Sequence, residues 1–306
     1  MNITKGKGYE MTALGFVGGH GMGDLITMDD LSNDEILEIL DTAERLLPVA
    51  NGDVYAPLLQ GKVLGNLFFE NSTRTRMSFE SAMKRLGGEV VNLSSVGSSV
   101  AKGETLYDTM QMVDGYSDIA VIRHPHQGAA QYSADAIGIP ILNAGDGAGN
   151  HPTQTMLDLF TIQQAHGTLE GLNVVLVGDL RYGRTTHSLS HALVRFGAKL
   201  TLVSPDSLRM PTEIVGDLQS HGSEVIESEN LSGAIADADV IYMTRVQKER
   251  FPDEDEYAKV AGIYKMTADD LAGAKGGMIV MHPLPRVDEI DPSVDSTKHA
   301  RYFQQA

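Results

Sequence analysis

Leu67-Phe68-Phe69-Glu70-Asn71-Ser72-Thr73-Arg74-Thr75-Arg76-Met77-Ser78-Phe79-Glu80-Ser81-Ala82-Met83-Lys84 decides how the chain is read. The apolar run over residues 62–69 predicts a buried strand. Met77, Phe79, Met83 and Leu86 then recur at roughly helical spacing until Gly87-Gly88 stops the pattern. Residues 72–75 therefore fall where a strand hands over to a helix. Such a junction presents unpaired backbone N–H groups and the positive end of a helix dipole. Here it also carries three hydroxyls and two guanidiniums, the donor set for a phosphate. A Ser N-cap followed by exposed arginines is the plainer alternative.

The same alternation continues outward. Strands are expected over 89–93, 118–122 and 140–142, then over 172–177, 200–203, 224–226, 240–244 and 277–281. Helices are expected between most of them, including one opened by His151-Pro152. Strands alternating with helices predict an α/β protein of two doubly wound domains, each a parallel sheet covered by helices. The active site then lies in the cleft between them, because ligands gather at strand carboxyl ends. At 306 residues the chain suits two domains. The expected division is 1–24 as a flexible extension, 25–151, 152–290, and a terminal segment 291–306 returning toward the first domain. Residues 15–23 are Gly-rich, but no convincing helix follows them. Ser32 and Glu35 form a capping box for a helix expected to end before Pro48.

Composition narrows the function classes. With 24 Lys plus Arg against 41 Asp plus Glu, the formal charge is −17, which disfavours nucleic acid as a partner. A site for anions must gather its positive charge locally, so clustered arginines carry more meaning than they would in a basic chain. Cysteine is absent, which removes disulfides and thiolate chemistry. No stretch approaches membrane-spanning length and no signal-peptide core is evident, so no membrane role and a cytoplasmic location are expected. His124 and His126 flank Pro125 without a cysteine or a spaced carboxylate, and no metal is assigned to them.

Ser72-Thr73-Arg74-Thr75-Arg76, followed by Ser78-Phe79-Glu80, resembles the carbamoyl-phosphate loop of the aspartate and ornithine carbamoyltransferases. Further segments match in order: Lys102-Gly103-Glu104, Arg123-His124-Pro125, the stretch 151–160 from His151, Asp179 to Arg184, Thr244 to Arg250, and His282-Pro283-Leu284-Pro285-Arg286. The resemblance implies carbamoyl-phosphate binding by Ser72, Thr73, Arg74, Thr75, Arg123, His151, Gln154, Pro283 and Leu284. Within that set, Thr75, Arg123 and His151 polarise the carbonyl, Arg74 serves the phosphate, and Gln154 with the carbonyls of Pro283 and Leu284 receives the carbamoyl NH2. It implies acceptor binding by Arg184, Arg245 and Gln247, a contribution of Ser98 and Lys102 from a neighbouring subunit, and an ion-pairing role for Glu70 and Arg250 in domain closure.

Ornithine enzymes typically carry a cysteine at the position of Pro283, and this chain has none. Two arginines suit a dicarboxylate, because the planar fork pairs bidentately with each carboxylate. The expected activity is thus transfer of the carbamoyl group of carbamoyl phosphate to the α-amine of L-aspartate, a step of de novo pyrimidine synthesis, with no cofactor. The partners implied are the two substrates, two further copies of the chain in a homotrimer with shared sites, and, as the family allows, a separate regulatory chain. The alternatives are a carbamoyltransferase for another amino acid and a catalytically impaired scaffold homologue. A dehydrogenase lacks its Gly-rich fingerprint after the first strand of either unit. The family continues past the equivalent of 303–306 with a long helix on the first domain. Its truncation here is expected to expose apolar surface, at a cost of several kcal/mol if about four large side chains lose burial.

Overall fold

The computed structural model describes residues 23–95, 98–147, 149–246, 257, 260 and 262–306. The Gly-rich stretch before Gly23, Gln247 and Arg250 lie outside the described residues.

Two wholly parallel sheets form the frame. The first contains β1 (Val63–Phe68), β2 (Glu89–Ser94), β3 (Ile119–His124) and β4 (Ile141–Asp146), in the order β2-β1-β3-β4. The second contains β5 (Asn173–Val177), β6 (Lys199–Val203), β7 (Val225–Ser228), β8 (Val240–Met243) and β9 (Ile279–Met281), in the order β7-β6-β5-β8-β9. Central strands such as β1, β5 and β8 are buried nearly throughout, as continuous apolar runs under helices on both faces require. In each sheet the strand order reverses once, between β1 and β3 in the first and between β5 and β8 in the second. Phe68 stands beside Arg123 across the first reversal, and Val177 beside Met243 across the second. Crevices outside such reversals are where ligands bind.

Among the described residues the α-helices of five residues or more are α1 (Asn33–Asn51), α2 (Thr73–Arg85), α3 (Leu106–Tyr116), α4 (Ala129–Ala136), α5 (Pro152–His166), α6 (Arg184–Val194), α7 (Thr212–Ser220) and α8 (Leu231–Ile235). Four readings need correction. The first helix does not stop before Pro48: it runs one turn further, and Gly52, left-handed at φ 84°, closes it with its N–H on the Pro48 and Val49 carbonyls. A proline removes only its own donor, and one extra turn closed by glycine tolerates that. β4 does not end at Leu142 but continues to Asp146, into a stretch whose glycines, Gly145 and Gly147, suggest a turn, because Asn143, Ala144 and Asp146 are buried beside β3. α8, expected over 234–238, starts earlier, at Leu231, where the Asn230 side chain caps it by accepting from the Gly233 N–H. α4 was not anticipated at all.

One core joins the two sheets. Leu25, Met28, Leu31, Ile36 and Leu40 pack with Leu159 and Ile162 of α5 and with Leu176, Leu189 and Leu193 of the second unit. Residues 24–26 extend the first sheet's edge: the Leu25 N–H donates to the Ile141 carbonyl at 2.8 Å, and its own carbonyl accepts from Asn143 N at 2.9 Å. Arg195, just after α6, then locks the 28–33 turn from the other side, donating to the carbonyls of Met28 and Leu31 and to Asn33 Oδ1, while Asn33 returns a bond to the Arg195 carbonyl. The terminal segment, expected to return toward the first domain, stays instead on the second sheet: Ala300 bridges Val280, and Tyr302 is fully buried in the core beneath β8 and β9. It ends with Gln305 turned onto α5.

Arg195→Ala removes charge-assisted bonds to three acceptors at once. It is expected to lower the unfolding free energy by about 2–3 kcal/mol, read from equilibrium urea denaturation.

Candidate active site

Chain topology brings the helix starts and strand ends of both units to one cleft of about 1140 Å³. On the first unit's side, α2 begins at Thr73 behind Ser72, whose extended backbone is that of an N-cap. Its hydroxyl makes no capping bond among the described residues, and the first turn carries no acidic side chain. The opening N–H groups of α2 thus face the cleft without a side-chain acceptor, and the simple cap reading of Ser72 is not realised. Thr73, Arg74 and Thr75 line the same wall.

Arg123 stands at the end of β3. One of its nitrogens donates to the Ala144 carbonyl at 3.0 Å and another pairs with Glu70 at 2.8 Å. Its buried Nε has no hydrogen-bond partner among the described residues. Burial pulls its pKa below the ordinary arginine value while Glu70 pushes the other way. Arg74 is drawn down too, by burial first and by the charge of Arg123 second. Both stay charged at neutral pH, and Arg74 feels Arg123 as a second cation in the same cleft.

His151 occupies the cap position of α5 and is buried. Burial, then the charges of Arg123 and Arg184, hold its pKa well below the usual imidazole range. It is therefore neutral, with Thr153 Oγ1 at 3.3 Å from Nδ1. Gln154, on the next turn, lines the cleft and donates through Nε2 to Asp158 at 3.0 Å.

On the other side, Arg184 opens α6 behind Gly183, where a Cβ would meet the Asp179 carbonyl at 2.4 Å. Arg184 donates to the Gly147 carbonyl. Gly145, at φ 116°, lets both cations close in: its Cβ would meet an Arg123 nitrogen at 3.0 Å and an Arg184 nitrogen at 3.2 Å. Arg245 lines the cleft just past β8, and Pro283 and Leu284 line it past β9. Leu284 is left-handed at φ 53°, a conformation disfavoured for a branched side chain, and its N–H donates to His282 Nδ1 at 2.8 Å.

This pairing of two parallel sheets around an arginine-lined cleft is also where comparison with known proteins leads. Residues 23–164 match the model for the aspartate/ornithine carbamoyltransferase carbamoyl-P binding domain, and residues 170–306 match that for the Asp/Orn binding domain. The chain belongs to the aspartate/ornithine carbamoyltransferase family. It is 56% identical over 286 residues to the aspartate carbamoyltransferase catalytic subunit of Archaeoglobus fulgidus, covering 93% of this chain and 94% of that one. It is 54% identical to that of Thermococcus kodakarensis, covering 92% and 91%. Among solved structures, the catalytic subunit of M. jannaschii aspartate transcarbamoylase superposes with a TM-score of 0.87 at 50% identity, covering 92% of each chain. The Trypanosoma cruzi enzyme in complex with carbamoyl phosphate and aspartate gives 0.88 at 40% identity, covering 96% and 95%.

Against the family pattern, Ser72 to Thr75, Arg123, His151, Gln154, Arg184, Arg245, Pro283 and Leu284 all line one cleft. Ser98 and Lys102 do not line it: they lie on the short helical turn Ser99–Lys102 and at its cap, with the Ser98 hydroxyl on the Ser95 carbonyl and Lys102 exposed. Glu70 is paired with Arg123, within its own unit. His124 and His126 stack edge to face at 5.1 Å, and His124 Nδ1 accepts from the His126 N–H.

Sequence reasoning missed the polar group behind Gln154. Asp158 is fully buried and accepts from Gln154, from Tyr242 at 2.9 Å and from Gln305 at 2.6 Å. The signal was available, since Gln154 and Asp158 are one helical turn apart behind a cleft-facing helix start. Burial pushes the Asp158 carboxyl up to about 7, against the pull of its three neutral donors. Among the described residues, no cation contributes to holding the Asp158 carboxylate in its charged form. Its folded-state pKa exceeds the ordinary 3.8, so ionisation costs the folded chain. That cost is absent below about pH 4, grows toward pH 7 and is constant above. Asp158→Asn removes it: the stability of the variant relative to the parent chain is expected to rise across this window by on the order of 2–4 kcal/mol, read from thermal unfolding at stepped pH.

Proposed function

We propose that this chain transfers the carbamoyl group of carbamoyl phosphate to the α-amine of L-aspartate, giving N-carbamoyl-L-aspartate and phosphate, as its relatives named aspartate carbamoyltransferase imply. One observation carries the reading: the uncapped start of α2 and four arginines, two from each unit, converge on one cleft. Both substrates are anions, and the tetrahedral intermediate adds a further developing charge.

On this reading residues 25–151 hold carbamoyl phosphate, 152–290 hold aspartate, and 291–306 complete the second unit's edge. The α2 N–H groups, the hydroxyls of Ser72 and Thr73, and Arg74 take the phosphate. Thr75, Arg123 and neutral His151 donate to the carbonyl oxygen. A neutral imidazole donates without adding a further cation to a cleft already crowded with them. Gln154 and the carbonyls of Pro283 and Leu284 accept from the carbamoyl NH2. Arg184 and Arg245, with Gln247, hold the two carboxylates of aspartate. The amine nitrogen attacks the carbonyl carbon, the bond from that carbon to the bridging oxygen breaks, and the departing phosphate takes the amine proton. Positioning and a preorganised electrophilic cradle supply the catalysis, and no side chain acts as nucleophile. Ser98 and Lys102, remote from their own cleft, serve that of a neighbouring copy in a trimer, and Glu70 exchanges partners toward Arg250 as the units close.

Purified chain offered carbamoyl phosphate is expected to turn over with aspartate and not with ornithine, with a sedimentation mass of three copies. Turnover with ornithine alone, or full activity as a monomer, would overturn the substrate or the shared site respectively. Arg74→Lys keeps the charge and removes the planar fork. Its kcat is expected to fall by about 10²-fold, and near-normal turnover would remove Arg74 from the phosphate site.

A further inference from the structure

Gln154 can serve the carbamoyl NH2 only with its oxygen toward the cleft. Nothing in a primary amide favours one end over the other, so the orientation must be imposed from behind. Three fixed bonds do this in series. The His282 backbone N–H can only donate, and it donates to Gln305 Oε1 at 2.9 Å. That fixes the Gln305 amide with Nε2 toward Asp158, which receives it on Oδ1 at 2.6 Å. The same Oδ1 receives Gln154 Nε2 at 3.0 Å, while Oδ2 takes the Tyr242 hydroxyl. Oδ1 is thereby an acceptor twice over, and Gln154 is left with Oε1 as the end that faces the cleft.

We infer that Asp158, locked by Gln305 to the His282 backbone, is a positioning residue that presents the oxygen of Gln154 to the carbamoyl NH2. This rests on the carbamoyl-transfer reading above. The same tie fixes the strand end that leads into Pro283 and Leu284, so the two sets of NH2 acceptors, one from α5 and one from beyond β9, hold a common register. The requirement is for an acceptor at Oδ1 and not for a charge. With a proton on Oδ2, or an amide NH2 in its place, the group can donate to the Tyr242 oxygen and leave both amides on Oδ1 undisturbed.

Asp158→Asn and Asp158→Leu separate these roles. Asn keeps the Oδ1 acceptor and is expected to retain kcat/KM for carbamoyl phosphate within about threefold. Leu fills the space without an acceptor and is expected to lose about 10- to 100-fold, with KM for aspartate little changed. Equal damage in both variants would assign the role to charge and overturn the inference, as would near-normal activity in Asp158→Leu. A second measurement needs neither substrate nor the Leu variant. In ligand-free protein carrying 15N-glutamine, the Gln154 side-chain NH2, assigned by its loss in Gln154→Leu, is expected to exchange slowly in both the parent chain and Asp158→Asn. Exchange as fast as that of the exposed Gln60 would overturn the inference. Absence of turnover in the parent chain would defeat the carbamoyl-transfer reading instead, leaving the exchange result to decide on Asp158.

Discussion

Gathering four guanidiniums around one cleft is the constraint on which this structure depends. Arg74, Arg123, Arg184 and Arg245 surround one cleft, so positive charge is gathered locally in a chain whose formal charge is −17. Hydrogen bonds and an ion pair hold two of the cations there. Arg123 is braced by the Ala144 carbonyl and by Glu70, and Arg184 by the Gly147 carbonyl. Gly145 opens the room in which Arg123 and Arg184 approach each other. The electrostatic cost is borne by the rest of the fold, the usual arrangement for a preorganised anion site. His151 shows the same field acting on a neighbour, kept uncharged by burial and by two of those arginines.

Holding such a cleft open requires that the two sheets do not drift. The shared core of α1, α5 and the second sheet, reinforced by the Arg195 lock on the 28–33 turn, supplies this. α5 is the common element: its N-terminal turn faces the cleft with His151 and Gln154, and its interior carries Asp158, Leu159 and Ile162 into the core. A rearrangement at the back of α5 would therefore be felt directly at the reacting carbonyl.

Much of this was legible in the residues. The apolar run before Ser72 and the helical spacing after it placed a strand–helix junction correctly, because both signals are local. The two sheets followed from strands alternating with helices. What escaped notice depended on long-range packing. Asn143 to Asp146 look like a turn, and only burial beside β3 makes them strand. Pro48 looks like a stop until Gly52 is seen to close an extra turn. Asp158 meets Gln305, which lies 147 positions away in the chain, so no local pattern reveals that contact. Conversely Ser98 and Lys102 were singled out by resemblance, and the fold of one chain leaves them outside its own cleft.

The cleft's position in a chain of formal charge −17 has a kinetic side. At a distance an incoming dianion meets the field of the whole molecule, which repels it, and only within a few ångströms does it meet the arginines. Mobile ions weaken the first interaction far more than the second, since the screening length is about 8 Å at physiological ionic strength. Rising salt should thus raise the rate of substrate capture before it erodes the contacts that hold substrate, the reverse of the behaviour of an anion-binding enzyme with a basic surface.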